Sequence, residues 1–210
     1  MFNVITIERE YGAGGSIVAE QLARHFDWKL LDQELTARIA AEACVDPSVV
    51  RGCDEQIDHP LRRLAKVFWR GSYERMMPMS DAREFDADCM VEMATKIIGE
   101  AGQEGRCVIV GRGAPYILRQ RKDAFHVFLY APRDFKIQRL SRRMNEKEAI
   151  ELVDTIDRER AEFIKRYFNK DWPCRSLYHM MINTSFGIDL AVQNIINTMK
   201  SMKMAETSVR

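Results

Sequence analysis

No apolar run in this 210-residue sequence approaches the length that crosses a bilayer, so no membrane span is expected. The opening MFNVITIERE has no basic stretch leading into an apolar core, and no secretion signal is expected there. Cysteine is sparse and unorganised. Cys44, Cys53, Cys89, Cys107 and Cys174 are odd in number and form no C-x-x-C pair. This spacing argues against a disulfide framework and a zinc site, and points to a reducing, cytoplasmic setting. An excess of one charge is missing too: Lys and Arg number 32 against 31 Asp and Glu, which leaves no global positive field to draw the chain to nucleic acid. The four histidines are too dispersed for a ligand set, and His126, alternating within a strand pattern, reads as structural. Repeats and low-complexity tracts are absent.

What is present is enough for one core with a small insertion: 46% of the residues are apolar. Short apolar runs at 2–7, 107–110, 125–130 and 179–184, with a further candidate at 28–32, are separated by helix-patterned sequence. That alternation predicts an α/β fold with a parallel sheet of about five strands and helices on both faces. Val18, Ala19, Leu22, Ala23 and Phe26 form one helical face; Phe85, Cys89, Met93 and Ile97 form a second; Ile188, Val192, Ile195, Ile196 and Met199 form a third. Residues 46–82, with three prolines around the basic piece LRRLAKVFWR, fit the alternation poorly and read as an insertion over the substrate side. A single domain over 1–205 is expected, with a frayed tail after Lys203.

The segment VITIEREYGAGGSIVAEQLARHF, residues 4–26, carries the chemistry. Gly12, Gly14 and Gly15 lie between a strand pattern and a helix pattern, where glycines let backbone N–H groups turn toward phosphate oxygens and the helix adds its positive end. Against G-x-x-x-x-G-K-[ST], Gly14 matches the second glycine and Ser16 the hydroxyl residue that meets Mg²⁺. Arg9 falls at the first glycine, and Gly15 takes the place of the lysine. A plain glycine turn without a ligand satisfies the same local pattern. In the phosphate-binding reading, Arg9 is the candidate substitute cation.

Further along stand VIVGRGAPYIL at 108–118, FHVFLYAPRDFKIQRL at 125–140, DRERAEF at 157–163 and YHMMINTSFGIDLAVQNII at 178–196. With LARHFDWKLLDQEL at 22–35, this order resembles the cytidylate kinase-like branch of the P-loop nucleoside monophosphate kinases. The resemblance implies a three-layer P-loop kinase fold with an acceptor-binding insertion near 46–82 and a lid near 141–150. It implies transfer of the ATP γ-phosphoryl to CMP or dCMP with Mg²⁺, and small-molecule nucleotides as partners. Carried onto these residues, Gly12, Ala13, Gly14, Gly15 and Ser16 would hold the ATP phosphates, with Ser16 toward the metal. Arg9, Arg112, Arg139 and Arg143 would neutralise transferred charge, Arg139 and Arg143 lying four apart on one expected helical face with Arg142 beside them. Asp32, Arg112, Asp157 and Arg160 would hold the acceptor.

Three positions depart from the family pattern: Gly15 for the lysine, Val110 where many nucleotide kinases carry an Mg²⁺-organising aspartate, and Gly113 for the aspartate of cytidylate kinases. Glu10 is expected to face outward or pair with an arginine, since a carboxylate aimed inward would repel phosphate. Two other readings fit the departures: a regulatory module that binds nucleotide without transfer, and a kinase acting on another small metabolite. The sequence fixes no oligomeric state.

Overall fold

The computed structural model describes residues 2–32 and 87–208. The insertion expected at 46–82 lies outside the described residues, as does Phe85. Five strands form one parallel sheet: β1 (Val4–Arg9), β2 (Lys29–Leu31), β3 (Cys107–Val110), β4 (Ala124–Tyr130) and β5 (Met180–Asn183), in the order β2-β3-β1-β4-β5. Among the described residues, six helices pack around it: α1 (Gly15–Phe26), α2 (Ala87–Glu104), α3 (Ala114–Ile117), α4 (Arg133–Leu140), α5 (Glu146–Phe168) and α6 (Ile188–Ser208). The expected α/β architecture is therefore the observed one. The last helix continues to Ser208, beyond the point where fraying was expected.

Strand alternation divides the core in two. Ile5 and Ile7 of β1 face α1 and α6, among Val18, Leu22 and Ile195. Val4 faces the opposite layer, with Ile97 of α2 and Phe163 of α5. Each such buried side chain contributes ~1.5–3 kcal/mol, which holds α1 on the sheet although its first turn has no side-chain cap. In α2 the buried stripe is Ala94, Ile97, Ile98 and Ala101, displaced from the four-residue spacing the sequence suggested because a helix buries i, i+3, i+4 and i+7 together. Asn145 starts α5: its side chain accepts a hydrogen bond from the Lys147 N–H at 2.9 Å, and Glu146 and Glu148 follow in the first turn.

Two differences from the sequence reading shape the site. The apolar run ends at Ile7, but the ladder continues, pairing Glu8 with Phe128 and Arg9 with Leu129. Arg9 is thus the last residue of the central strand and not the start of a loop. Helix α4 ends at Leu140, so Arg142 and Arg143 stand in the turn that follows, where the Arg143 N–H donates to the Leu140 carbonyl at 2.8 Å. The stretch expected as a lid holds this turn and the opening of α5.

On the α5 side of β1, the Thr6 hydroxyl and His126 Nδ1 are 2.7 Å apart, and the His126 N–H donates to His179 Nδ1 at 3.0 Å. Burial, with His179 beside it, lowers the His126 pKa from 6.5 to about 4. The unfolded chain therefore binds the extra proton first. Stability should be full above pH ~6.5, fall as the pH drops toward ~4, and level off below. His179, also lowered by burial, adds in the same sense. Denaturant titrations at pH 7 and pH 4.5 should show the loss, and His126→Gln should remove most of that pH dependence.

Candidate functional site

Because β1 lies between β3 and β4, the chain leaves β1 for one side of the sheet and crosses from β3 to the other. Such a switch point opens a crevice beyond the carboxyl ends of the strands. The glycine turn sits there. Gly14 is the residue before α1 and holds a left-handed φ of 81°; no acidic residue occupies the first helical turn. The turn and the first turn of α1, with Ser16, line a cleft of about 330 Å³, whose other wall is Arg139, Arg142, Arg143 and Arg160. Among the described residues, five arginines, Arg9 included, line this cleft against one acid, Glu10. Ala13 points away into the core.

The loop carbonyls are held by side-chain donors. Arg160 Nη1 donates to the Arg9 carbonyl at 2.8 Å, Arg139 Nη1 to the Gly12 carbonyl at 3.1 Å, and the Thr184 hydroxyl to the Ala13 carbonyl at 2.7 Å. The Tyr11 N–H is held by Asp157 Oδ1 at 2.7 Å. With those carbonyls engaged elsewhere, the start of α1 presents its N-terminal dipole to the cleft, an arrangement suited to an anion. Burial lowers the Arg160 pKa to about 10, with the like charge of Arg9 adding to it and Asp157 opposing. Burial lowers that of Arg139 as well, with Arg142 adding. At about 10, Arg160 remains charged at neutral pH.

Arg9 occupies the space beside Gly15. A Cβ at Gly15 would lie 2.7 Å from Arg9 Cγ and 3.2 Å from its Cδ, so the side chain of Arg9 runs through the space a residue-15 side chain would need. Its guanidinium then reaches the end of β3, where Nη1 fills the place of a side chain at Gly111. One arginine therefore spans from the first turn of α1 to the neighbouring strand.

At that strand end lies a second group. Gly111, Arg112 and Gly113 take successive positive φ values of 67°, 55° and 70°, and Arg112 is almost wholly buried. Its Nη1 is 3.9 Å from Asp32 Oδ1, so the structure brings these two expected acceptor residues together. Burial lowers the Arg112 pKa to about 10, with Asp32 opposing and Arg9 adding to the fall. Glu8, on the other face of β1, is raised by burial against the pull of Arg9 and Arg160. Asp157 and Arg160 sit elsewhere, beneath the glycine loop, where they make the loop contacts above and pair with each other at 3.3 Å.

Two contributors escaped the sequence reading. Lys136 reaches Glu10 at 2.9 Å and Asp157 at 3.1 Å, so the partner of Glu10 is a lysine and not an arginine. Thr184 ties the turn after β5 to the loop. The signal for Lys136 was its spacing: with Arg139 and Leu140 it forms an i, i+3, i+4 face of α4.

For Mg²⁺, no group of three His, Cys, Asp or Glu side chains gathers among the described residues. Asp32 lies beside Arg112 and Glu10 beside Lys136. The donor set fits a magnesium ion that arrives on nucleotide phosphates, with the Ser16 hydroxyl as its protein oxygen, and not a cage of carboxylates.

The sequence matches the cytidylate kinase-like family over residues 4–186. No curated protein sequence matches it. Among solved structures, an uncharacterized protein from Eubacterium ventriosum is 21% identical, with 96% of this chain and 99% of that one covered and a TM-score of 0.69. Shikimate kinase from Acinetobacter baumannii, in complex with shikimate, is 16% identical over 97% and 96% of the two chains, with a TM-score of 0.54. Deoxyadenosine kinase from M. mycoides, with dCMP and dCDP bound as products, is 11% identical over 94% and 99%, with a TM-score of 0.50. At these identities the likeness establishes the fold, that of the P-loop kinases. No helix among the described residues is long and apolar enough to cross a membrane.

Proposed function

We propose, for a chain that belongs to the cytidylate kinase-like family, that it transfers the γ-phosphoryl of ATP to a small-molecule acceptor, with CMP or dCMP as the first choice. The observation that carries this reading is the path of Arg9, across Gly15 of the glycine loop to Gly111 at the end of β3. A cation placed there lies between the donor cleft and the Arg112–Asp32 group.

In this reading Gly12, Gly14, Gly15 and Ser16 receive the donor phosphates through backbone N–H groups and the helix dipole. Ala13 adds its backbone to the turn while its methyl packs in the core. Ser16 would hold the magnesium on the nucleotide, and that ion, when bound, supplies screening of the phosphate charge. An oxygen of the acceptor phosphate attacks the γ-phosphorus; the bond to the bridging oxygen breaks, and ADP leaves. The acceptor phosphate is already anionic and needs no strong base. What the chain supplies is position and charge: Arg9 at the transferred group, Arg139 and Arg143 on the donor side, and Arg112 on the acceptor side. Asp157 and Arg160, which the resemblance would place at the acceptor, serve here to set the loop by the hydrogen bonds they make to it.

One observation favours a second reading, a kinase of the same type with another small metabolite as acceptor. Asp32 stands beside Arg112, and a carboxylate there would repel an incoming phosphate while suiting a hydroxyl. ADP formation from Mg-ATP, measured with CMP, dCMP, UMP, AMP, GMP and no acceptor, separates the readings. The primary reading predicts acceptor-dependent turnover that prefers the cytidine nucleotides. Turnover with none of them would overturn it, leaving nucleotide binding without transfer or a different acceptor.

A further inference from the structure

Beneath the glycine loop, Lys136, Glu10, Asp157 and Arg160 form a compact charge group built from the residue after β1, α4 and α5. Lys136 lies at its centre, only 6% exposed, with its ammonium bonded to Glu10 Oε2 at 2.9 Å and Asp157 Oδ2 at 3.1 Å. Asp157 Oδ1 accepts from the Tyr11 N–H and from Arg160, and Glu10 Oε2 also accepts from the Ala131 N–H at 3.3 Å. Lys136 Cβ lies 3.1 Å from where a Gly12 side chain would begin. We infer that Lys136 is a positioning residue for the anion site: with Arg160 it cancels two carboxylates, Asp157, which holds the loop backbone, and Glu10, which would otherwise repel the phosphates the loop is shaped to hold. This rests on the reading of the loop as a donor-phosphate site.

The physical conflict is plain. The loop is fixed through an acid at 157, bonded to its backbone, and carries a second acid at 10, yet both lie close to where an anion must bind. Arg160 offsets one negative charge and Lys136 the other, so the four groups sum to zero. Burial acts to lower the Lys136 pKa, but the hydrogen bonds and charges of Glu10 and Asp157 outweigh it and the net shift is upward. Removing the lysine would leave a net negative charge under the loop, in surroundings that screen poorly, where an uncompensated charge is costly.

Calorimetric titration with inorganic tripolyphosphate at fixed salt tests this without relying on turnover, using wild type, Lys136→Met and the double variant Lys136→Met/Glu10→Gln. Lys136→Met should weaken binding at least tenfold. Glu10→Gln in the same chain should bring it back to within about threefold of wild type. A lysine that served only as packing would show no such rescue, and binding by Lys136→Met within twofold of wild type would equally overturn the inference. Circular dichroism reports whether Lys136→Met folds. If it does not, Glu10→Gln alone decides: it must bind tripolyphosphate at least as tightly as wild type, and a loss beyond threefold would contradict the charge role. Failure of wild type itself to bind would sink the donor-site reading, and this inference with it, a result distinct from failure of the rescue.

Discussion

Arg9→Ala is expected to lower kcat/KM for ATP-dependent transfer by ~100-fold, ~2.7 kcal/mol of transition-state stabilisation, with a smaller loss of ATP affinity. The size follows from the position. Arg9 is buried at the end of the central strand, beside a cleft whose other arginines come from α4, the turn after it and α5. Arg142 and Arg143 are exposed, and the solvent around them weakens their field. Arg160 is committed to the Arg9 carbonyl and Asp157, and Arg139 to Gly12 and Thr184. Arg9, whose Nη1 is 3.9 Å from Glu8 Oε1, runs from the glycine turn to Gly111, just beyond β3. Charge developing on a transferred phosphoryl group would be felt there first, and most of the loss should therefore fall on kcat. ATP affinity and turnover both retained within about twofold would refute the role.

The second large effect is expected at Gly14. Its φ of 81° is strained for any residue with a side chain, and an added Cβ would stand 2.6 Å from Ile188 Cδ1 and 2.7 Å from Arg139 Nη1. The left-handed backbone costs ~1–2 kcal/mol and the crowding ~1–3 kcal/mol, so Gly14→Ala should destabilise the fold by ~2–5 kcal/mol. In a chain of this size that lowers Tm by ~5–15 °C. The arginine tip is flexible and can yield, but yielding breaks its bond to the Gly12 carbonyl. Nucleotide binding should therefore fall further than stability alone explains. A melting curve and an ATP titration on the same variant check both parts; a Tm within 2 °C of wild type would contradict the strain.

Much of the scaffold was legible in the sequence because buried parallel strands are short and apolar. CVIV marks β3 to the residue, and the glycine cluster sits where the strand and helix patterns said a turn must be. Legibility failed where polar residues are buried for reasons of charge. Hydrophobicity ends β1 at Ile7, whereas pairing with β4 carries it through Arg9, and that extension is what aims the arginine across Gly15. Lys136 and Thr184 meet the loop region across more than a hundred residues of sequence; the helical spacing of Lys136 with Arg139 marks a shared face but not what that face meets. Asp157 and Arg160 were visible as an i, i+3 pair, but a pair on a helix does not say which backbone it will hold. The loop's departure from the lysine-bearing pattern was also plain, while its cause needed the third dimension.

The central claim is the proposal that Arg9, which fills the space beside Gly15, stands in for the lysine and supplies its charge. The most direct test is an exchange, comparing Gly15→Lys, Arg9→Ala and Arg9→Ala/Gly15→Lys for ATP affinity and turnover. Gly15→Lys alone should be impaired and less stable, since its Cβ would meet Arg9 Cγ at 2.7 Å. In the double variant the path is clear and the cation restored, and activity should rise at least tenfold above that of Arg9→Ala. A double variant no better than Arg9→Ala, or a fully active Gly15→Lys, would show that the two side chains do not share one place and one role.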